Sequence, residues 1–171
     1  MAGRRSEARR YAVLALYQWQ LSGLSPEEIA RHFYDDPAWM GAVAEGLVED
    51  AESEPKAAKA GRGGYDLKLF DQLLRGVAER ADEIDDALRP LLDRSLTSID
   101  PVERAILRVG TYELLFSPEL PVGVIINEAV NLAKSFGAEQ GHRYVNGVLD
   151  KLARQVRRDE LAARSSERAP G

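Results

Sequence analysis

The chain contains no cysteine among its 171 residues, and it has only two histidines and two tryptophans. The lack of cysteine excludes a disulfide scaffold, a cysteine-ligated zinc site and a thiol nucleophile. The histidines, His32 and His142, are far apart in the sequence and would make a poor metal site. We therefore expect neither a metal nor any other cofactor.

Long hydrophobic segments are also missing. No apolar run approaches the roughly 20 residues that a helix needs to span a bilayer. The N-terminus is basic, but no continuous apolar segment follows it, so it lacks the pattern of a secretory signal. A cytoplasmic location is the resulting expectation.

Arrangements typical of catalysis are equally scarce. His142 has no serine or cysteine nucleophile in a recognisable motif, and the nearest hydroxyl, that of Ser135, falls in or at the end of a predicted helix. The glycine-rich residues 61–64 lack the preceding strand and the following Gly-Lys-Ser or Gly-Lys-Thr of a phosphate-binding loop. We expect a protein that is not an enzyme.

Strand signals are nearly absent, and the apolar residues recur at helical spacing, so the predicted fold class is all-α. The first helix is predicted over residues 6–22 and ends at Gly23. Ser25 caps a short second helix that ends near residue 36. A further helix is expected over residues 37–50, followed by a flexible loop at residues 51–64 without large apolar side chains.

The second half of the chain has a sharper helical pattern. Apolar residues spaced alternately by three and four predict one long helix from residue 66 to residue 88, ended by Pro90. Asp100, Pro101 and Glu103 form the start signal of a central helix, with Asp100 as its cap. The remaining predictions are helices over residues 102–116, 122–136 and 139–158, and a disordered polar tail over residues 161–171.

Charge is unevenly distributed along the chain. The formal net charge of -5 argues against indiscriminate binding of nucleic acid. Residues 45–54, however, are acidic, whereas residues 1–10 are arginine-rich. An arginine arm suits single-stranded RNA, because guanidinium groups bind phosphates and stack on bases; a merely solubilising terminus is the alternative. The arm arginines are Arg4, Arg5, Arg9 and Arg10.

Two further groups of residues suggest nucleic-acid contacts. The first predicted helix carries Tyr11, Tyr17 and Trp19, which could stack on bases, although both tyrosines also lie on the apolar stripe of that helix. Arg143 and Tyr144 lie in the first turn of the last predicted helix, where the helix dipole favours a phosphate. The alternative is that Tyr144 packs over the preceding turn while Arg143 is only solvated.

Four segments, in order, resemble the NusB family of transcription antitermination factors. They read A-R-R-Y-A-V-L-A-L-Y-Q-W-Q-L-S at the start, V-E-R-A-I-L-R-V-G-T-Y-E-L in the middle, and I-N-E-A-V-N-L-A-K-S-F-G-A-E with H-R-Y-V-N-G-V-L-D-K towards the end. The resemblance implies one all-helical domain over residues 1–160, built as two small three-helix bundles packed together. We expect these bundles at about residues 6–50 and 66–158.

The resemblance also implies a function and a set of site residues. It implies binding of boxA RNA together with the ribosomal protein NusE, in an RNA polymerase antitermination complex that supports transcription of ribosomal RNA operons. Self-association of the free protein stays open. The implied RNA-binding residues are Arg4, Arg5, Arg9, Arg10, Tyr17, Arg143 and Tyr144, and the implied NusE-binding residues are Glu103, Glu139 and Gln140.

Two alternatives remain at this point. The chain could be a helical protein-binding adaptor with an incidental arginine arm. It could also be an RNA-binding module related to the N-terminal domain of ribosomal RNA cytosine methyltransferases, although nothing after the predicted bundle would bind a methyl donor. Steeply salt-dependent RNA binding would distinguish an RNA-binding module from an adaptor.

Overall fold

A computed structural model of the chain describes residues 3–35, 65–136 and 141–168. All the regular secondary structure in these residues is helical, which confirms the predicted fold class. The predicted helix at residues 37–50 and the loop at 51–64 lie outside the described residues. The helices are α1 (Arg4–Ser22), α2 (Pro26–Asp35), α3 (Leu67–Glu79), α4 (Ala81–Leu88), α5 (Pro101–Phe116), α6 (Val122–Ser135), α7 (Gly141–Val156) and α8 (Arg158–Arg168), with short 3-10 turns at Arg89–Leu91 and Leu96–Ser98.

The start and stop signals in the sequence act at the helix ends as expected. Gly23 ends α1 with a φ of 73°, a conformation that side chains with a Cβ rarely adopt. The Ser25 hydroxyl accepts a hydrogen bond of 3.2 Å from the Glu28 amide at the start of α2. At the start of α5, the Asp100 carboxylate accepts bonds from the amides of residues 102 and 103.

The structure corrects two of the predicted helix boundaries. The predicted long helix at residues 66–88 is divided into α3 and α4 at Arg80, whose φ of -109° and ψ of 23° are not helical. The Arg80 guanidinium then lies 4.4 Å from the centroid of the Phe116 ring. The apolar spacing continues through the break, because Ile84 and Leu88 of α4 are still buried, so the pattern alone could not show it.

The predicted disordered tail also differs from the structure, because α8 continues through residue 168. Arg157 precedes α8 and donates hydrogen bonds to four backbone carbonyls, those of Glu113, Leu114, Ser117 and Leu120. Its guanidinium also bonds to Glu160 at 2.7 Å. These contacts fix the first turn of α8 against the C-terminal end of α5.

The helices form two groups, which contact each other mainly through α1 of one group and α5 of the other. Helices α1, α2 and α3 pack against one another, and so do α5, α6 and α7. Helix α3 therefore lies with the N-terminal helices, whereas we expected residues from 66 onward in the C-terminal bundle. Helix α1 packs along α5 and joins the two groups, and α4 lies against α5 and α7.

Helix α5 is central and buried on most sides, as its apolar sequence predicted. Two glycines allow close packing around it. A Cβ at Gly76 of α3 would lie 2.6 Å from the ring of Tyr112, and a Cβ at Gly110 would lie 2.7 Å from the side chain of Leu149 in α7. These glycines are therefore needed for helix contact rather than for an unusual backbone angle.

A buried ion pair joins α1 to α5. The Arg9 guanidinium donates two hydrogen bonds of 2.9 Å to the carboxylate of Glu113. The side chains of these residues are only 3% and 2% exposed. Arg9 is one of the predicted RNA-binding residues, but in this structure its guanidinium is enclosed and bonded to the Glu113 carboxylate, so it does not lie on an open surface.

The close contact at Gly76 leads to a prediction about stability. We expect Gly76→Ala to lower the free energy of unfolding by about 1–3 kcal/mol, because the new methyl group displaces the Tyr112 ring in a packed interior. Gly147→Ala is the matched control in α7, where a Cβ would meet nothing within 4 Å. That change should raise stability by about 0.5–1 kcal/mol. Urea unfolding measures both, and equal effects would contradict the packing explanation.

The buried ion pair leads to a second prediction. We expect Arg9→Ala to lower the free energy of unfolding by about 3–5 kcal/mol, because it leaves the Glu113 carboxylate buried without its partner. The double variant Arg9→Met with Glu113→Leu should recover most of that loss, since it removes both charges. Chemical denaturation of the single and double variants checks this. An Arg9→Ala protein as stable as the unchanged chain would show that the pair is not closed in solution.

Candidate nucleic-acid interface

The arginine arm forms the first turns of α1 and is divided between surface and core. Arg4 and Arg5 are exposed, and Arg4 donates a hydrogen bond of 3.4 Å to the backbone carbonyl of Tyr65. Arg10 is half-buried, with its guanidinium 5.6 Å from the centroid of the Phe136 ring. With Arg9 enclosed, three of the four predicted arm arginines remain available to a ligand.

A second contact fixes the direction of the arm. The Ser6 hydroxyl donates a hydrogen bond of 2.8 Å to the carboxylate of Glu128 in α6. One turn further along α1, Arg10 lies over Phe136, the residue that follows α6. The first turns of α1, which carry the arm arginines, are therefore held against α6 and the residue that follows it.

The aromatic residues of α1 are mostly part of the core. Tyr11 is 1% exposed, and burial together with the nearby Glu7 carboxylate raises its pKa to about 12. Tyr17, a predicted RNA-binding residue, is half-buried and packs against the hydrophobic core, so part of its surface remains accessible. Trp19 is also half-buried, with the Arg108 guanidinium 5.7 Å from its ring.

A surface cavity of about 400 Å³ brings together residues from three parts of the sequence. It contains Arg143 and Tyr144, which were predicted to bind RNA, and Glu103, which was predicted to bind a protein partner. The predicted partner residues Glu139 and Gln140 lie outside the described residues. The cavity is lined by Arg94, Glu103, Gly141, Arg143 and Tyr144.

The connection between α4 and α5 supplies two residues that sequence reasoning missed. The Tyr144 hydroxyl donates a hydrogen bond of 3.2 Å to the Asp93 carboxylate, which also accepts a bond of 3.0 Å from Arg94. The Arg94 guanidinium lies 4.7 Å from the centroid of the Tyr144 ring. Asp93 and Arg94 lie in a connection without a helical or strand pattern, and the Tyr144 ring that they contact is some fifty residues further along the chain. The sequence therefore could not predict this contact.

The pKa values of two carboxylates near the cavity, those of Asp93 and Glu103, are shifted in opposite directions. The bond from Arg94 holds the pKa of Asp93 below its usual range, so Asp93 is ionised at neutral pH. Burial and the neighbouring Asp100 raise the pKa of Glu103, although Arg94 acts in the opposite direction. The cavity thus combines the exposed Arg143, the Arg94 guanidinium that lies over the Tyr144 ring, and the partly buried carboxylate of Glu103. This combination suits a polar ligand that carries both a negative charge and a flat ring.

Neither a metal site nor a membrane span was found in the part of the chain that the structure describes. The His, Asp and Glu side chains of these residues form no group of three that could hold a metal ion. Their helices are too short or too polar to cross a bilayer.

Comparison with known proteins gives consistent matches over nearly the whole chain. The family model described as the NusB family matches residues 6–154. A protein of Nitrosococcus oceani named transcription antitermination protein NusB is 45% identical over 98% of this chain and 97% of its own length. A protein of the same name from Alkalilimnicola ehrlichii is 50% identical over 88% of this chain and 81% of its own length.

Solved structures show the same architecture. The T. maritima NusB structure is 28% identical, with a TM-score of 0.58, and the match covers 94% of this chain and 99% of that one. A crystal structure of antitermination factors NusB and NusE in complex with dsRNA contains a chain that is 27% identical, with a TM-score of 0.63. That match covers 88% of this chain and 96% of the other. On the family model, the identity to these relatives and the shared fold, this chain belongs to the NusB family.

Proposed function

We propose that this chain is a transcription antitermination factor that binds boxA RNA together with the ribosomal protein NusE. In this role it supports transcription of ribosomal RNA operons as part of an RNA polymerase antitermination complex in the cytoplasm. It acts by binding and not by catalysis. The observation that carries the proposal is the proximity of the arginine arm to the cavity that contains Arg143 and Tyr144.

The chain itself limits the separation of these two cationic groups. Arg10 lies on Phe136, and the cavity begins at Gly141, five residues later. A segment of five residues spans at most about 18 Å when fully extended. A short single strand can therefore contact the arm with its phosphates and reach the cavity with a neighbouring nucleotide. The net charge of -5 over the whole chain favours such a local contact.

The relatives support the same function. The Nitrosococcus and Alkalilimnicola proteins are named for transcription antitermination, and neither is named as a methyltransferase. The similar solved chain belongs to a crystal structure of NusB and NusE in complex with dsRNA. We infer that this chain forms the corresponding complex on a single-stranded transcript.

Glu103 is the described residue that best connects RNA binding with partner binding. It lines the same cavity as Arg143, and it belongs to the set of proposed NusE contacts with Glu139 and Gln140. A partner that contacts Glu103 would therefore lie beside RNA bound at Arg143. Two weak RNA contacts joined in one heterodimer raise the affinity through effective concentration.

The function can be tested by titrating a boxA-containing single-stranded RNA and a scrambled RNA, each with and without NusE. We expect tighter binding of the boxA RNA than of the scrambled RNA, and a further gain with NusE. The logarithm of the affinity should fall with the logarithm of the salt concentration by about 0.7 for each phosphate contacted. Negligible RNA affinity at every salt concentration would contradict the proposal and favour a protein-binding adaptor.

The arm gives a separate prediction. We expect the double variant Arg5→Ala with Arg10→Ala to bind boxA RNA more weakly and to reduce the salt slope by about 1.4, the value for two phosphates. Its free energy of unfolding should change by less than about 1 kcal/mol, because neither guanidinium is in a buried ion pair. The control is Arg31→Ala with Arg154→Ala, which removes the same charge from exposed positions of α2 and α7. An equal loss of affinity in the control would show that only net charge matters.

A further inference from the structure

We propose that Arg94 is a base-stacking residue and that an unpaired nucleobase of bound RNA packs on the outer face of its guanidinium. This inference rests on the proposed RNA-binding function and assigns a role to a residue that the sequence did not suggest. It also changes the role of Tyr144, which becomes the support beneath the guanidinium and not the surface on which the base stacks.

The geometry around Tyr144 carries the first step. Its ring is half-buried and packs against the hydrophobic core, and its hydroxyl is bonded to Asp93. The Arg94 guanidinium lies over this ring, 4.7 Å from its centroid, and so covers part of it. Since Arg94 also lines the cavity, a base in the cavity can stack on this guanidinium rather than on the tyrosine ring.

The charge of Arg94 carries the second step. Asp93 accepts the hydrogen bond from Arg94 Nε and is itself held ionised by that bond. The positive charge of Arg94 is thus balanced within the protein, which weakens its attraction for a phosphate. A guanidinium remains planar when it is paired, and planar guanidinium groups stack on nucleobases. Arg94 is 51% exposed, so that plane is accessible to a ligand.

The other cavity residues complete a site for one nucleotide. Arg143 is exposed in the first turn of α7, where the helix dipole and its own charge both favour a phosphate. Arg94 lines the same cavity, whose volume of about 400 Å³ lies within the range of about 300–1,000 Å³ found for small-ligand sites. A phosphate at Arg143 would therefore present its neighbouring base towards Arg94.

The test compares Arg94→Ala and Arg94→Lys in the full chain with NusE, using a boxA-containing single-stranded RNA as the probe. Because lysine keeps the charge but lacks the plane, we expect both variants to lose affinity by about 5- to 150-fold, the factor for one stacked base. The salt slope should stay unchanged in both. Arg143→Ala should instead reduce the slope by about 0.7, since it removes a phosphate contact.

Arg80 provides a matched control. It also lies over an aromatic ring, at 4.4 Å from the Phe116 centroid, and it pairs with Glu83 at 3.3 Å, but it lies at the break between α3 and α4. Arg80→Ala and Arg80→Lys should leave RNA affinity unchanged. Unfolding measurements on all variants separate a lost RNA contact from a damaged fold.

A scan of the RNA with single abasic sites locates the stacked base. At one position, removing the base should weaken binding to the unchanged protein but not to Arg94→Ala, because the two changes remove the same contact. The stacking proposal is overturned if Arg94→Lys binds as tightly as the unchanged chain, or if no abasic position is coupled to Arg94. Specific boxA binding by the unchanged protein would in either case leave the proposed function standing. If the unchanged protein does not bind boxA RNA specifically, both the stacking proposal and the proposed function are overturned.

Discussion

The buried ion pair between Arg9 and Glu113 is the interaction on which the binding surface depends. It lies where α1 crosses α5, and it connects the N-terminal group of helices to the central helix of the other group. The same turn of α5 receives a hydrogen bond from Arg157 to the Glu113 carbonyl, so it also holds the junction of α7 and α8. A buried charge without its partner is strongly unfavourable, so this contact disfavours any placement of α1 that separates the two side chains. The other arm arginines, Arg4, Arg5 and Arg10, lie on either side of Arg9 in α1 and are thereby positioned by the core.

A second polar contact connects the other end of α1 to the same central helix. Arg108 donates two hydrogen bonds to the Asp85 carboxylate and a third, of 2.9 Å, to the side-chain oxygen of Gln20. The Gln20 amide nitrogen in turn bonds to the carbonyl of Pro101, in the first turn of α5. Helix α1 is thus held to α5 near both of its ends. Because Glu103 lies two residues after Pro101, this contact also fixes the wall of the cavity to the helix that carries the arm.

The sequence predicted the fold well where local signals determined it. Helical apolar spacing, the glycine at residue 23 and the caps at Ser25 and Asp100 placed most helix ends within two or three residues. The break at Arg80 was missed because apolar residues continue at helical spacing on both sides of it. The burial of Arg9 was missed for a different reason: within an arginine-rich segment it looks like its neighbours, and only its buried partner, 104 residues away, distinguishes it. Asp93 and Arg94 were missed because contacts between a connection and a distant helix leave no periodic pattern.

The division of the arginines into paired and exposed groups explains how one small surface can combine affinity with selectivity. Under the proposed function, exposed arginines such as Arg5 and Arg143 contribute a salt-dependent attraction for phosphates, which any RNA sequence provides. An arginine paired with a neighbouring carboxylate, as Arg94 is with Asp93, adds less to that attraction, but its plane can still meet a base. Base contacts and not phosphate contacts distinguish one transcript from another. Asp93 pairs with Arg94, and Tyr144 lies beneath its guanidinium. If Arg94 stacks on a base as we propose, selectivity at this surface depends on the connection between α4 and α5 as much as on the arginine arm.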